Sequence, residues 1–106
     1  MAIVEIPTRN DITSYKYRIE LDDSFFSFIF NFNGRRGRWY LDILNANDEP
    51  VVNGICLLNG VNLLQQYRHL NIPKGDLFVF DTKETTENPD RETFSTRFRL
   101  LYKEVD

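Results

Sequence analysis

The stretch Phe25-Phe26-Ser27-Phe28-Ile29-Phe30-Asn31-Phe32 decides how this chain is read. Along an extended strand successive side chains point to opposite faces. Phe26, Phe28, Phe30 and Phe32 therefore share one face, and Phe25 and Ile29 lie on the other. A small single-core β domain normally buries one face of each strand, yet this strand is apolar on both. Its second face needs a cover. That cover is either a short helix of the same chain or the surface of another subunit.

Working outward, period two dominates. Tyr15, Tyr17, Ile19 and Leu21 alternate with Lys16, Arg18 and Glu20, and Asp22-Asp23-Ser24 makes a polar turn into the Phe-rich strand. On the other side, Asn33-Gly34-Arg35-Arg36-Gly37 reads as a hairpin loop in which both glycines supply positive φ. The returning strand over 38–44 places Trp39, Leu41 and Ile43 on one face. After the turn cluster over 45–50, a strand over 51–58 is interrupted by Gly54, the signature of a bulge or a close backbone approach. The period then changes. Asn62 with Gln65 is a capping pattern, and Leu63, Leu64, Tyr67 and Leu70 recur at helical spacing, which predicts one short α-helix over 63–69. Ile72-Pro73-Lys74-Gly75 makes a turn, 76–81 a short strand, and 82–91 reads as a mobile polar loop. Phe94, Phe98, Leu100 and Tyr102 then mark a long closing strand. The expected fold is mainly β: a compact small β-barrel or two-sheet sandwich of about six to seven strands with one short α-helix, in a single domain over 1–106.

Composition narrows the function. The chain has 106 residues, with 13 basic against 16 acidic side chains and a formal charge of −3. Basic residues are scattered, which argues against direct nucleic-acid binding. No apolar run approaches the ~20 residues of a membrane-spanning helix, and residues 1–7 turn acidic too soon for a signal peptide. Nine Phe, five Tyr and one Trp are the unusual entries in the composition of so small a domain, and they ask what the rings are for.

The chemistry of catalysis is hard to assemble from these residues. His69, the lone histidine, falls in the last turn of the expected helix, where a favourable charge near the C-terminus is the simpler role. Cys56, on a strand beside Leu57 and Leu58, reads as a buried, unreactive thiol. A metal site would have to be all oxygen, from Asp42, Asp48 and Asp81, and no calcium-loop spacing connects them. The 33–37 loop can attract an anion but is a hairpin first. No cofactor is expected. Trp39 and Tyr40 leave open a small carbohydrate- or peptide-binding module with an aromatic platform.

The ordered series Gly37-Arg38-Trp39-Tyr40-Leu41-Asp42-Ile43, Pro50-Val51-Val52-Asn53-Gly54-Ile55, Leu58-Asn59-Gly60-Val61-Asn62-Leu63-Leu64-Gln65-Gln66-Tyr67-Arg68, Ile72-Pro73-Lys74-Gly75 and Arg99-Leu100-Leu101-Tyr102 resembles the small baseplate plug proteins of contractile-tailed bacteriophages. The likeness runs from Ile6-Pro7 to Tyr102 and is of the cyanophage plug type. The Phe-rich strand and the 82–91 segment depart from it. The resemblance implies a non-enzymatic virion component of the tail baseplate, produced in the bacterial host cytoplasm and assembling as a homo-oligomer with hub, tail-tube or spike proteins. Candidate interface residues are Phe25 and Ile29 on the second face of the strand, the rim charges Arg35, Arg36 and Arg38, and Ile3, Val4 and Ile6 of an N-terminal arm able to add to a partner's sheet edge.

Overall fold

A computed structural model describes residues 3–9, 11–21, 24–67, 70, 72–83, 85, 87–90, 94 and 97–104. Seven strands form in chain order: β1 (Ile3–Ile6), β2 (Ser14–Leu21), β3 (Ser24–Asn33), β4 (Arg38–Leu44), β5 (Pro50–Cys56), β6 (Asp76–Asp81) and β7 (Phe98–Lys103). They make two antiparallel sheets, β2-β3-β4-β5 and β1-β7-β6. Among the described residues no ladder joins the two sheets into a closed barrel, so the sandwich is the architecture adopted.

The alternation read from the sequence sets the registers. Phe28 and Phe30 of β3 stand between Tyr17 and Tyr15 of β2 and Ile43 and Leu41 of β4, and all face the interior. Phe98, Leu100 and Tyr102 of β7 and Leu77 and Val79 of β6 close the core from the other sheet. The aromatic residues find one another there. Tyr15 stacks on Phe30 with ring centroids 4.9 Å apart, and Phe94 lies 5.0 Å from Trp39 and 6.0 Å from Phe30. Rings in such tilted or offset contact add stability beyond the area they bury.

The bulge expected at Gly54 is present. Leu41 and Ile43 of β4 face Ile55 and Val52 of β5, so β5 carries one extra residue there. Gly54 takes φ 77° and gives its N–H to the Asp42 carboxylate at 2.7 Å. In the β3–β4 hairpin only Gly37 adopts positive φ; Gly34 does not.

Over the described part of 63–69, residues 63–67, the expected α-helix does not form. A single 3-10 turn, Gln65–Tyr67, stands in its place. The Leu63 N–H is taken by Leu77 O of β6 at 2.8 Å, and Tyr67 N and Leu70 N reach back three residues to Leu64 O and Tyr67 O. An α-helix needs the four-residue reach. Burial of both Leu63 and Leu64 in the core holds this backbone against β6 and outweighs the helical spacing. Asn62 does cap the turn, its side-chain oxygen accepting from Leu64 N at 3.3 Å, while its amide donates to Asp76 at 3.0 Å.

The closing strand is shorter than 94–102. It begins at Phe98, and Phe94 makes only an isolated bridge to Phe98. The described part of 82–91, expected to be mobile, is tied down. Asn59, which makes an isolated bridge to Val79 of β6, donates its N–H to Asn88 at 2.9 Å and its amide to Thr85 O at 2.7 Å, while the Trp39 indole N–H donates to Asp90 O at 2.8 Å. The Asp22-Asp23 turn, Arg68 and His69 lie outside the described residues.

Candidate assembly surface

The register of the four-stranded sheet builds its outer face row by row. Ile29 lies between Lys16 and Asp42, Asn31 between Ser14 and Tyr40, and Ser27 between Arg18 and Leu44, with Phe25 opposite Glu20 at the end. Phe25 is 48% exposed, and Ile29 is half-buried with Tyr40 beside it on the same face. The Arg18 guanidinium sits 5.0 Å from the Phe25 ring centroid, a cation–π contact at the rim of the patch.

The 3-10 segment does not cover this face. Leu63 and Leu64 turn into the core instead. What covers part of it is the 45–49 turn. Asn45 accepts the N–H groups of Asn47 and Glu49 at 2.9 and 3.0 Å, which brings Asp48, at φ 61°, over Ser27. The Ser27 hydroxyl donates to Asp48 at 2.9 Å, and Lys16 lies 3.4 Å from the same carboxylate. These two neighbours, Ser27 foremost, hold the Asp48 carboxyl below its ordinary range. Ser27 is buried as a result, whereas Phe25 stays open.

The other expected interface residues are dispersed. Arg35 and Arg36 are exposed at the β3–β4 hairpin tip, with Arg38 half-buried at its base. The N-terminal arm pairs with its own β7, Ile3 opposite Lys103 and Ile6 opposite Leu100. Ile6 is therefore a correction: it is 1% exposed and belongs to the core, because its side chain lies on the inward face of β1. Ile3 is exposed and Val4 half-buried. The arm's exit is fixed by two tyrosines, Tyr17 donating to Pro7 O at 2.5 Å and Tyr15 accepting from Arg9 N at 2.9 Å. Burial pushes the Tyr15 hydroxyl up to about 12 and that of Tyr17 further in the same direction.

Two other expectations are corrected. Cys56 is half-buried rather than buried, since the bulge in β5 turns it to the outer side. It borders an open groove of about 490 Å³ with Ile55, Leu58, Val61, Leu63 and Tyr67, and among the described residues no charged side chain lines that groove. Trp39 is fully buried among Tyr15, Phe32 and Phe94, so it cannot serve as a stacking platform for a sugar or peptide.

The three aspartates weighed as metal ligands serve separate local roles: Asp42 accepts from Gly54, Asp48 from Ser27, and Asp81 from Arg97. Among the described residues no group of three or more His, Cys, Asp or Glu is placed to hold a metal ion. The Asp81 site escaped the sequence reading. Asp81 is only 2% exposed; it takes a bidentate pair from Arg97 at 2.9 Å each, the N–H groups of Lys83 and Thr85, and the Thr85 hydroxyl. Arg97 above all holds its carboxyl well below the usual carboxylate range. A second apolar outer face was also missed: Phe80, exposed, with Phe78 and Leu101 half-buried on the three-stranded sheet. Its signal was the doubled alternation of Leu77 and Val79 with Phe78 and Phe80.

Fold and surface together define a small antiparallel β-sandwich whose four-stranded sheet carries exposed Phe25 and half-buried Ile29 and Tyr40 among charged and polar side chains on its outer face. The chain belongs to the family described as cyanophage baseplate Pam3 plug gp18, whose model matches residues 3–105. That family consists of structural plug proteins of the phage baseplate. No curated protein matches the chain.

Proposed function

We propose that this protein is a single-domain, non-enzymatic plug of a contractile phage tail, made in the host cytoplasm and incorporated into the virion baseplate. It acts by packing, with copies of itself and with hub, tail-tube or spike proteins. The observation that carries this reading is Phe25, an exposed ring that shares with half-buried Ile29 a sheet face which, among the described residues, the 45–49 turn covers only in part. An exposed aromatic ring rimmed by charged side chains such as Arg18 and Glu20 is the composition of a protein interface. Arg35, Arg36 and Arg38 provide rim charge that orients the approach, and Ile3 and Val4 lie on the edge strand of the other sheet.

Size-exclusion chromatography with light scattering tests it. Phe25→Asp is expected to reduce association while the domain keeps its melting temperature. A wild-type monomer at high concentration that also fails to bind baseplate components, or a variant that unfolds, overturns the assignment of this face.

A further inference from the structure

Three of the 13 basic side chains, Arg35, Arg36 and Arg38, lie within four residues of one hairpin in a chain whose net charge is −3. The turn that carries them is rigidly built. Gly37 N donates to Asn33 O at 2.8 Å with Gly37 at φ 64°, and the Asn33 side-chain oxygen accepts the N–H groups of Arg35 and Arg36 at 3.0 and 3.2 Å. Three other cations meet carboxylates: Arg9 with Asp11, Lys16 with Asp48, and Arg97 with Asp81 and Glu87. Among the described residues no carboxylate pairs with the three tip arginines, and the one hydrogen bond made there by a guanidinium is from Arg38 to Gly37 O at 3.3 Å. The folded state thus holds like charges together on a fixed base. A cluster of like charges so placed attracts negative charge.

We propose that this tip docks on an acidic protein surface, its guanidinium groups each taking a carboxylate of a neighbouring subunit. All three residues are arginine, whose planar fork matches a carboxylate with two parallel hydrogen bonds. The fixed backbone lowers the ordering cost of that contact. A carboxylate patch fits better than a nucleic acid, because three arginines cover one small cluster of charge while the rest of this acidic chain would repel an extended polyanion. This proposal rests on the assembly role above and gives the chemistry of one partner.

The test is fluorescence anisotropy of the full chain with a labelled short polyglutamate peptide, and in parallel with a short single-stranded DNA of similar charge. Polyglutamate is expected to bind, and to weaken by roughly tenfold between about 0.05 M and about 0.15 M salt. The double variant Arg35→Glu, Arg36→Glu should lose at least about tenfold in affinity at unchanged melting temperature. The double variant Lys83→Glu, Lys103→Glu, with the same charge change elsewhere, should retain binding. Equal loss in both double variants, no loss at the tip, or tighter binding of DNA than of polyglutamate overturns the proposal. Phe25→Asp separates this from the assembly reading: it should lose self-association yet keep polyglutamate binding, whereas the tip variant should lose polyglutamate binding and slow self-association without abolishing it.

Discussion

Replacing Gly75 by alanine tests how the three-stranded sheet is sealed. Gly75 is buried at the entry to β6, and its N–H donates to the Tyr102 hydroxyl at 2.7 Å. A Cβ there would lie 2.1 Å from the carbonyl oxygen of Lys103 and 2.7 Å from both Cζ and the hydroxyl oxygen of Tyr102. Neither can withdraw easily. Lys103 belongs to the central strand, paired to Ile3 on one side and Asp76 on the other, and Tyr102 is fully buried. Forcing one carbon into a packed site costs about 1–3 kcal/mol, and weakening the buried hydrogen bond adds about 1 kcal/mol. Alanine returns about 0.4–1 kcal/mol by restricting the unfolded chain. The expected net loss is about 2–3 kcal/mol, which for a domain of this size lowers the melting temperature by roughly 10–15 °C. Gly34→Ala is the matched control, because nothing lies within 4 Å of its added carbon and its φ is not positive. It should be neutral or slightly stabilising. Thermal melts followed by circular dichroism, with urea midpoints at unchanged m-value, measure both. A Gly75→Ala melt within about 2 °C of wild type, or an equal loss in Gly34→Ala, would refute the reasoning.

Two further outcomes follow from the same geometry. Because the Asp81 carboxyl titrates below its unfolded value of about 3.9, its contribution is fully present above that pH and is lost as pH falls below it; Asp81→Asn should lower stability at neutral pH and flatten the acid limb of a stability-against-pH curve, and an unchanged acid limb would count against the ion pair. Asn59→Ala removes the amide that holds Thr85 O, so limited proteolysis should cut within 82–91 faster than in wild type while the global unfolding free energy falls by only about 1 kcal/mol.

The strands were legible because an extended chain alternates faces whatever surrounds it. Tyr15 through Leu21, the Phe-rich run, and the Trp39, Leu41, Ile43 series all point where period two places them. Gly54 likewise announced its bulge through the conformation that its neighbours on β5 would resist. The 63–69 segment was misread because helical spacing and a buried pair of leucines look alike in sequence; only the bond from Leu63 N to Leu77 O distinguishes them, and it joins residues far apart in the chain. The anchoring of the described part of 82–91 was hidden for the same reason, since its anchors Asn59, Trp39 and Arg97 lie ten or more residues from the groups they hold.

By itself the sequence determined that the protein is mainly β, where most strands run, and which face of each is apolar, because those properties depend on local geometry and side-chain type. Tertiary structure decided how the excess of aromatic rings is divided. Phe26, Phe28, Phe30, Phe94, Phe98 and Trp39 fill the chain's own core, while Phe25 and Phe80 remain outside. Tertiary structure also chose two separate sheets over a barrel, returned the N-terminal arm to β7, and buried Ile6. Alternation assigns a residue to one side of a strand; whether that side meets the core, a neighbouring turn or open surface depends on what the rest of the fold brings against it.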